Sequence, residues 1–363
     1  MNKLILFGLI LSNSFSIHAQ KNYFLSFSFG NGNYVWQLRK MQNWRLIFCH
    51  RVLIILLLST FVWSCKPDEQ IIIDDDPCFF PDIDFGINGP IIDYAAIEYL
   101  KPCFNPSNEN EIVYIEDQPY TGISRLCVLN LNDLTSLYIQ DNVSGAPKWS
   151  KTGWIIFNKA DDIWKIKPDG DSLTLLFSNG TNYSPEINPR GDKIIFKYQL
   201  DNYIAIKISD LNGNVIDSLE DQALYCPSWS PEGKKISMRR AGEPSSFGYY
   251  DTTLTTFTPI ITNISEVPFD MIIDTRWFPD SEHIFWFGSG FYNITNTTTM
   301  ETEIFRDYCP KNSLFYPNFS PALDIIIWEK NTMKLLENNS GYIISTSIVM
   351  TDIEGANEVV LLE

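Results

Sequence analysis

Beyond residue 64 the chain has a single histidine, His283. Multi-histidine metal sites are therefore excluded from that region, and a Ser-His-Asp arrangement would have to be built on this one ring. The run Gly288-Ser289-Gly290 lacks the G-x-S-x-G spacing of a nucleophile elbow. Adjacent carboxylates occur at Glu116-Asp117, Asp161-Asp162 and Glu220-Asp221. Paired acids are what glycoside hydrolysis requires. In a sequence with 44 Asp and Glu residues, however, such neighbours arise from composition and read as solvated loop charge. Asp210-Leu211-Asn212-Gly213-Asn214 offers oxygen ligands but lacks the later bidentate Glu of a calcium loop, and reads as a hairpin turn. Cys78, Cys103, Cys127, Cys226 and Cys309 follow no metal-binding spacing, and no pairing is assigned to them. No catalytic residue, metal or cofactor is expected, and binding is the role left by elimination.

The charge distribution narrows the partners. Six basic residues and no acidic ones lie in residues 1–64, which leaves 21 Lys and Arg against 44 Asp and Glu in the remainder. A surface that acidic repels phosphate backbones, so nucleic acid is not an expected partner. Arg45, His50 and Arg51 flank an apolar run from Val52 to Trp63 that is too short for a comfortable membrane span. Val62-Trp63-Ser64-Cys65 resembles a bacterial lipobox, and Asp68, Glu69 and Asp74-Asp75-Asp76 resemble the acidic export signal of Bacteroidetes surface lipoproteins. The resemblance implies lipidation of Cys65 and an outer-membrane lipoprotein, periplasmic or surface-exposed, held to the membrane by its lipid. Residues 1–64 are read as a signal and targeting segment with Met41 as a candidate start, residues 65–80 as the lipidated tether, and residues 81–363 as the folded domain. Met1 to Gln20 also resemble a secretory signal.

A phrase recurs beyond residue 100: an apolar residue, Ser or Asn, Pro, a short polar turn, then an apolar run. It appears at Phe104-Asn105-Pro106, Trp149-Ser150-Lys151, Ile187-Asn188-Pro189, Trp229-Ser230-Pro231, Trp277-Phe278-Pro279 and Phe319-Ser320-Pro321. Taking the third residue as anchor, the intervals are 45, 38, 42, 48 and 42 residues. A second proline column lies four residues earlier, at Pro102, Pro147, Pro185, Pro227 and Pro317, with Thr275 in the fifth unit. Each unit contains about four short runs rich in β-branched and aromatic residues and no helical periodicity, as a propeller blade would. The spacing predicts an all-β, six-bladed β-propeller of four-stranded antiparallel blades.

Trp229-Ser230-Pro231-Glu232-Gly233-Lys234-Lys235-Ile236 and Asn188-Pro189-Arg190-Gly191-Asp192-Lys193-Ile194-Ile195-Phe196 resemble the blade phrase of TolB-like propellers. Trp277 to Phe285 keep its shape with Ser281 where Gly is usual. The resemblance covers residues 100–363. It speaks to fold, because the phrase is structural. The aromatic two residues before each anchor is expected to pack between blades. Val359–Leu362 reads as the last unit's own outer strand, so residues 81–100 are candidates either to latch the ring or to cap one face.

The face carrying the outer-to-inner links and the second-to-third strand loops is the expected binding face. Tyr120, Tyr225, Arg239, Arg240, Phe247 and Tyr316 are its Tyr-, Phe- and Arg-type anchors. The reading is a lipid-anchored, non-catalytic platform for envelope proteins. The alternatives are a glycosidase or lyase, or a glycan-binding accessory protein, working through the funnel.

Overall fold

The computed structural model describes residues 15–19, 23–29, 32–37, Cys78 and 91–363, apart from 179–180, 202, 220–223, 241–245, 253–255, 263–274, 289–290, 308, 310, 323 and 337–340. The chain divides into two units, residues 1–71 and 72–363. In the first, β1 (Phe15–Ala19), β2 (Tyr23–Phe29) and β3 (Gly32–Gln37) form an antiparallel meander. Among the described residues no helix is long and apolar enough to cross a membrane. Cys65, the rest of the tether except Cys78, and Glu220-Asp221 lie outside the described residues.

The second unit begins with β4 (Ile91–Tyr94) and continues as six sheets. Blade 1 comprises β5 (Glu98–Asn105), β6 (Asn108–Gln118), β7 (Ile123–Asn130) and β8 (Thr135–Asp141). Blade 2 comprises β9 (Ser144–Trp149), β10 (Ile155–Lys159), β11 (Asp162–Ile166) and β12 (Thr174–Phe177). Blade 3 comprises β13 (Thr181–Ile187), β14 (Lys193–Leu200), β15 (Tyr203–Asp210) and β16 (Val215–Leu219). Blade 4 comprises β17 (Leu224–Trp229), β18 (Lys235–Arg240), β19 (Ser246–Asp251) and β20 (Thr256–Thr262). Blade 5 comprises β21 (Thr275–Trp277), β22 (His283–Gly288), β23 (Phe291–Asn296) and β24 (Thr302–Asp307). Blade 6 comprises β25 (Asn312–Phe319), β26 (Ile325–Leu335), β27 (Gly341–Asp352) and β28 (Val359–Leu362). The four consecutive strands of each blade pair antiparallel, and the sixth sheet also takes in β4, paired in parallel with β27.

The second strands of the blades read as nearly unbroken apolar runs because both their faces are buried. Side chains alternate across a strand, and each parity goes to a different neighbour. In β10, Ile155 and Phe157 pack against blade 1, while Ile156 packs against blade 3. In β22, Ile284 and Trp286 meet blade 4, while Phe285 meets blade 6. In β26, Ile326 and Trp328 face blade 5, while Ile327 faces blade 1. The core is therefore divided into six clusters among the described residues, one at each blade interface.

The polar column of the repeated phrase closes the inner turns. Ser150 Oγ accepts from Trp154 N at 3.1 Å, Ser230 Oγ from Lys235 N at 3.0 Å, and Asn188 Oδ1 from Lys193 N at 2.9 Å. Buried side-chain oxygens thus satisfy N–H groups that the turn would otherwise strand. Phe278 has no such oxygen, and Asp280 Oδ1 takes over by accepting from His283 N at 2.9 Å.

The second proline column marks a bulge. Register slips by one residue between Leu100 and Cys103, Tyr183 and Glu186, Tyr225 and Ser228, and Phe315 and Asn318. The residue before the proline there is left-handed: Lys101 (φ 54°), Ser184 (48°), Cys226 (52°) and Tyr316 (49°). Proline has no N–H to place in the ladder, and a bulge is where a strand tolerates that. In blade 2 Gly145 is the left-handed residue (φ 69°), two before Pro147.

Candidate functional site

Each inner strand starts at the link from the preceding blade and ends at the turn into its own second strand. The ends of β5, β9, β13, β21 and β25, together with the inner turns of blades 1 to 6, surround an axial cavity of about 400 Å³. Pro106, Pro189, Pro231, Pro279 and Pro321 ring its mouth, and Trp149, Trp277 and Phe319 wall it. Trp149 and Trp277 also pack between blades, as their place in the repeat implies.

The residue immediately after the second proline column, three before the anchor, is Cys103, Lys148, Glu186, Ser228, Arg276 and Asn318 in blades 1 to 6. Cys103, Lys148, Glu186 and Asn318 line the cavity. Lys148 Nζ donates to Glu186 Oε1 at 2.7 Å, and Arg276 Nη1 donates to the same oxygen at 3.0 Å. Their side chains retain only 10–14% exposure. Arg276 also donates to the Thr275 carbonyl at 3.1 Å. One carboxylate therefore ties together blades 2, 3 and 5 across the axis. Asn318 Oδ1 accepts from Phe104 N at 2.8 Å and joins blade 6 to blade 1. Burial pushes the Cys103 thiol up, against the downward pull of the Lys148 and Arg276 charges. A buried thiol whose charged form is disfavoured serves as a packing group.

Glu186 is the one carboxylate among the described lining residues, and it is already engaged. The carboxylate neighbours picked out from sequence lie elsewhere. Glu116 pairs with Arg125 at 3.2 Å, and Asp117 accepts from the Ser124 hydroxyl. Asp161 is in the β10–β11 turn, where its carbonyl accepts from Asn182 N at 3.0 Å. Asp210 Oδ1 accepts from Asn212 N and Asn214 N at 2.8 and 2.9 Å, the hairpin turn expected of it. His283 faces Asp280 through Nδ1 at 2.6 Å and Asn296 through Nε2 at 3.1 Å. Gly288 ends β22, while Ser289 and Gly290 lie outside the described residues. Among the described residues no group of three or more His, Cys, Asp or Glu side chains is placed to hold a metal ion.

The six anchors selected from sequence do not gather around this cavity. Tyr225, Arg239 and Phe247 are successive cross-strand partners in blade 4, with Arg240 beside them. Phe247 is fully buried between blades 4 and 5, which corrects its reading as an exposed anchor: it lies in β19, where the pleat turns its ring inward. Tyr225 is half-buried beneath Lys197, whose Nζ stands 3.5 Å from the ring centre. Burial holds that amine below its ordinary value, with the nearby Cys226 thiol acting in the opposite direction. Arg239 is half-buried and Arg240 exposed. Tyr316 is a bulge residue with Lys101 Nζ 5.7 Å from its ring centre, and Tyr120 is exposed in the β6–β7 loop. The sequence reading missed Lys148, Glu186 and Arg276. Their signal was available in the column next to the proline, where polar and charged residues interrupt an otherwise apolar strand.

This architecture defines a six-bladed β-propeller whose blades are TolB-like in construction. Among solved structures it is similar to a protein of Agrobacterium tumefaciens described as a TolB, with a TM-score of 0.51 at 16% identity over 64% of this chain and 86% of that one. The TolB of Acinetobacter baumannii gives 0.44 at 14% identity, over 66% of this chain and 65% of its own. An oligogalacturonate lyase in complex with manganese gives 0.48 at 10% identity, over 73% of this chain and 77% of that one. At these identities the likeness is one of fold alone. No protein-family model and no curated protein matches the sequence.

Proposed function

We propose that this propeller is a non-catalytic binding platform of the bacterial cell envelope, tethered through a lipid on Cys65, and that a protein partner docks at the axial mouth. The observation that carries this reading is the charged column. The cavity is walled by prolines and aromatics, and its one described carboxylate, Glu186, is spent on Lys148 and, across the axis, on Arg276. A glycosidase would need two carboxylates facing one substrate bond, and the described lining offers one. Rigid prolines and indoles around a polar centre suit the capture of a protruding segment, because such side chains lose little freedom on contact.

The test has two arms. Fatty-acid labelling of the full chain in cells should be lost in Cys65→Ser; undiminished labelling refutes the anchor. Capture from detergent-solubilised membranes should retain an envelope protein that Lys151→Glu, at the cavity mouth, releases and Thr121→Glu, on the opposite face, keeps. Retention of glycans instead, or equal capture by both variants, refutes the platform.

A further inference from the structure

We infer that Cys78 and residues 91–95 form a clasp that closes the ring from outside and fixes the face from which the N-terminal chain departs. A ring of consecutive strands has its weak point where the last blade meets the first. Among the described residues the joint includes a cluster containing Phe104, Tyr114, Ile327 and Ile348, the approach of Lys101 to the Tyr316 ring, and three hydrogen bonds. Phe104 N donates to Asn318 Oδ1 at 2.8 Å, Lys101 N to Glu329 Oε2 at 3.0 Å, and Thr346 Oγ1 to Glu98 Oε1 at 3.3 Å. Among the described strands none of the four strands of a blade is shared across it.

Blade 6 leaves room for reinforcement. β27 is twelve residues long, and β28 pairs only with its stretch from Ile348 to Met350. β4 takes the remaining edge in parallel, from Ile91 opposite Gly341 to Tyr94 opposite Ile344, and Ala95 N extends the ladder to Ile344 O at 2.8 Å. Blade 1 then grips this added strand. The Tyr120 hydroxyl, from the β6–β7 loop, lies 2.8 Å from the Tyr94 carbonyl, accepts from Tyr94 N at 3.1 Å and meets the Asp93 carboxylate. A strand paired with blade 6 and held by blade 1 spans the joint. Tyr120, selected from sequence as a binding anchor, is a positioning residue in this arrangement.

The disulfide between Cys78 and Cys309 supplies the covalent part. Cys309 lies in the link between β24 and β25, where blade 5 passes to blade 6. Chain order matters here: Cys78 precedes β4, which precedes β5. A pull from the N-terminal side is therefore arrested at Cys309 before it can peel β4 from β27 or blade 1 from blade 6. The link carrying Cys309 is at the end of the blades opposite the inner turns that surround the cavity. On the lipid-anchor reading, on which this consequence rests, the tether leaves from the link face and the cavity mouth points away from the membrane.

Hydrogen exchange on the full-length protein tests the clasp. In Cys78→Ser and in Cys309→Ser, amides of residues 98–104 and 341–348 should exchange at least about tenfold faster, while those of β14 and β15 hold their rate. Tyr120→Phe should accelerate the same amides less. Should the cysteine variants not accumulate folded, reduction of the folded wild-type protein by a phosphine gives the same comparison. Unchanged exchange at the joint, or equal acceleration around the ring, overturns the clasp. For the orientation, the lipidated Cys226→Ser protein is placed on phosphatidylcholine vesicles carrying an acceptor-labelled lipid, with a donor dye at Thr121→Cys or at Glu232→Cys. Stronger transfer from position 121 is expected, and stronger transfer from position 232 overturns the orientation. Loss of attachment in Cys65→Ser reports on the anchor separately, and leaves the exchange result standing.

Discussion

Replacing Glu186 by Gln removes the carboxylate that holds Lys148 and Arg276 across the axis. The size of the effect follows from burial. Lys148, Glu186 and Arg276 side chains retain 10%, 14% and 12% exposure, so water can compensate little for the lost charge. Removing one member of a buried ion pair costs about 3–5 kcal/mol, because the partner charge stays desolvated without its counter-ion. The residual exposure puts Glu186→Gln at the lower end, about 3 kcal/mol of stability. Lys148→Met relieves part of that burden, so the double variant with Glu186→Gln should show a coupling of about 2 kcal/mol. The surface pair of Arg125 with Glu116, at 36% and 20% exposure, is the internal control, and Arg125→Ala should cost less than about 1 kcal/mol. Urea unfolding followed by tryptophan fluorescence measures all four proteins. A loss below about 1 kcal/mol for Glu186→Gln, or additivity in the double variant, would refute the reasoning that the axial cluster is a desolvated cross-tie.

Three further outcomes follow from the blades. Ser184→Gly should stabilise the protein by about 0.5–1 kcal/mol, since a non-glycine left-handed residue costs about 1–2 kcal/mol and glycine returns part of that gain as chain entropy; an unchanged denaturation midpoint would show that the bulge is unstrained. Gly145→Ala should lose about 2 kcal/mol, because the new Cβ would stand 2.6 Å from Asn158 Oδ1, on the amide that donates from Nδ2 to the Asn182 carbonyl at 2.7 Å and joins blades 2 and 3; thermal unfolding reads it, and a wild-type midpoint contradicts it. At Asp280, burial raises the carboxyl value but is outweighed by the donors of His283 and Glu282, so the net direction is down from 3.8. Its stabilising contribution is full above that ordinary value and lost as pH falls through the lower folded-state value. The stability gap between wild type and Asp280→Asn should therefore narrow below about pH 4, and a gap that is constant with pH opposes the assignment.

Much of the fold was legible because the repeat is written in local chemistry. Where a phrase carries Ser or Asn, that residue caps its own turn within five residues, and the prolines of the earlier column sit at their own bulges. Such features depend on neighbours along the chain, so they recur in sequence at the period of the blades. The anchor aromatics were read correctly as packing for the same reason. Phe247 was misread because its fate depends on where strand pairing ends: Arg239 pairs with Phe247 and Arg240 with Ser246, so the ring sits in the pleat and turns inward.

By itself, then, the sequence determined the number of blades, their strand order, the inner turns and the bulges, since these arise from contacts a few residues apart. Only the tertiary structure decided which charges meet. Glu186 finds Lys148 and Arg276 from 38 and 90 residues away, because closure of the ring points one column of every inner strand at a common axis. The same closure brought Cys78 to Cys309 across 231 residues and set β4 on the half-covered edge of β27. Pairings of that range are fixed by the curvature of stacked sheets, which no local pattern encodes.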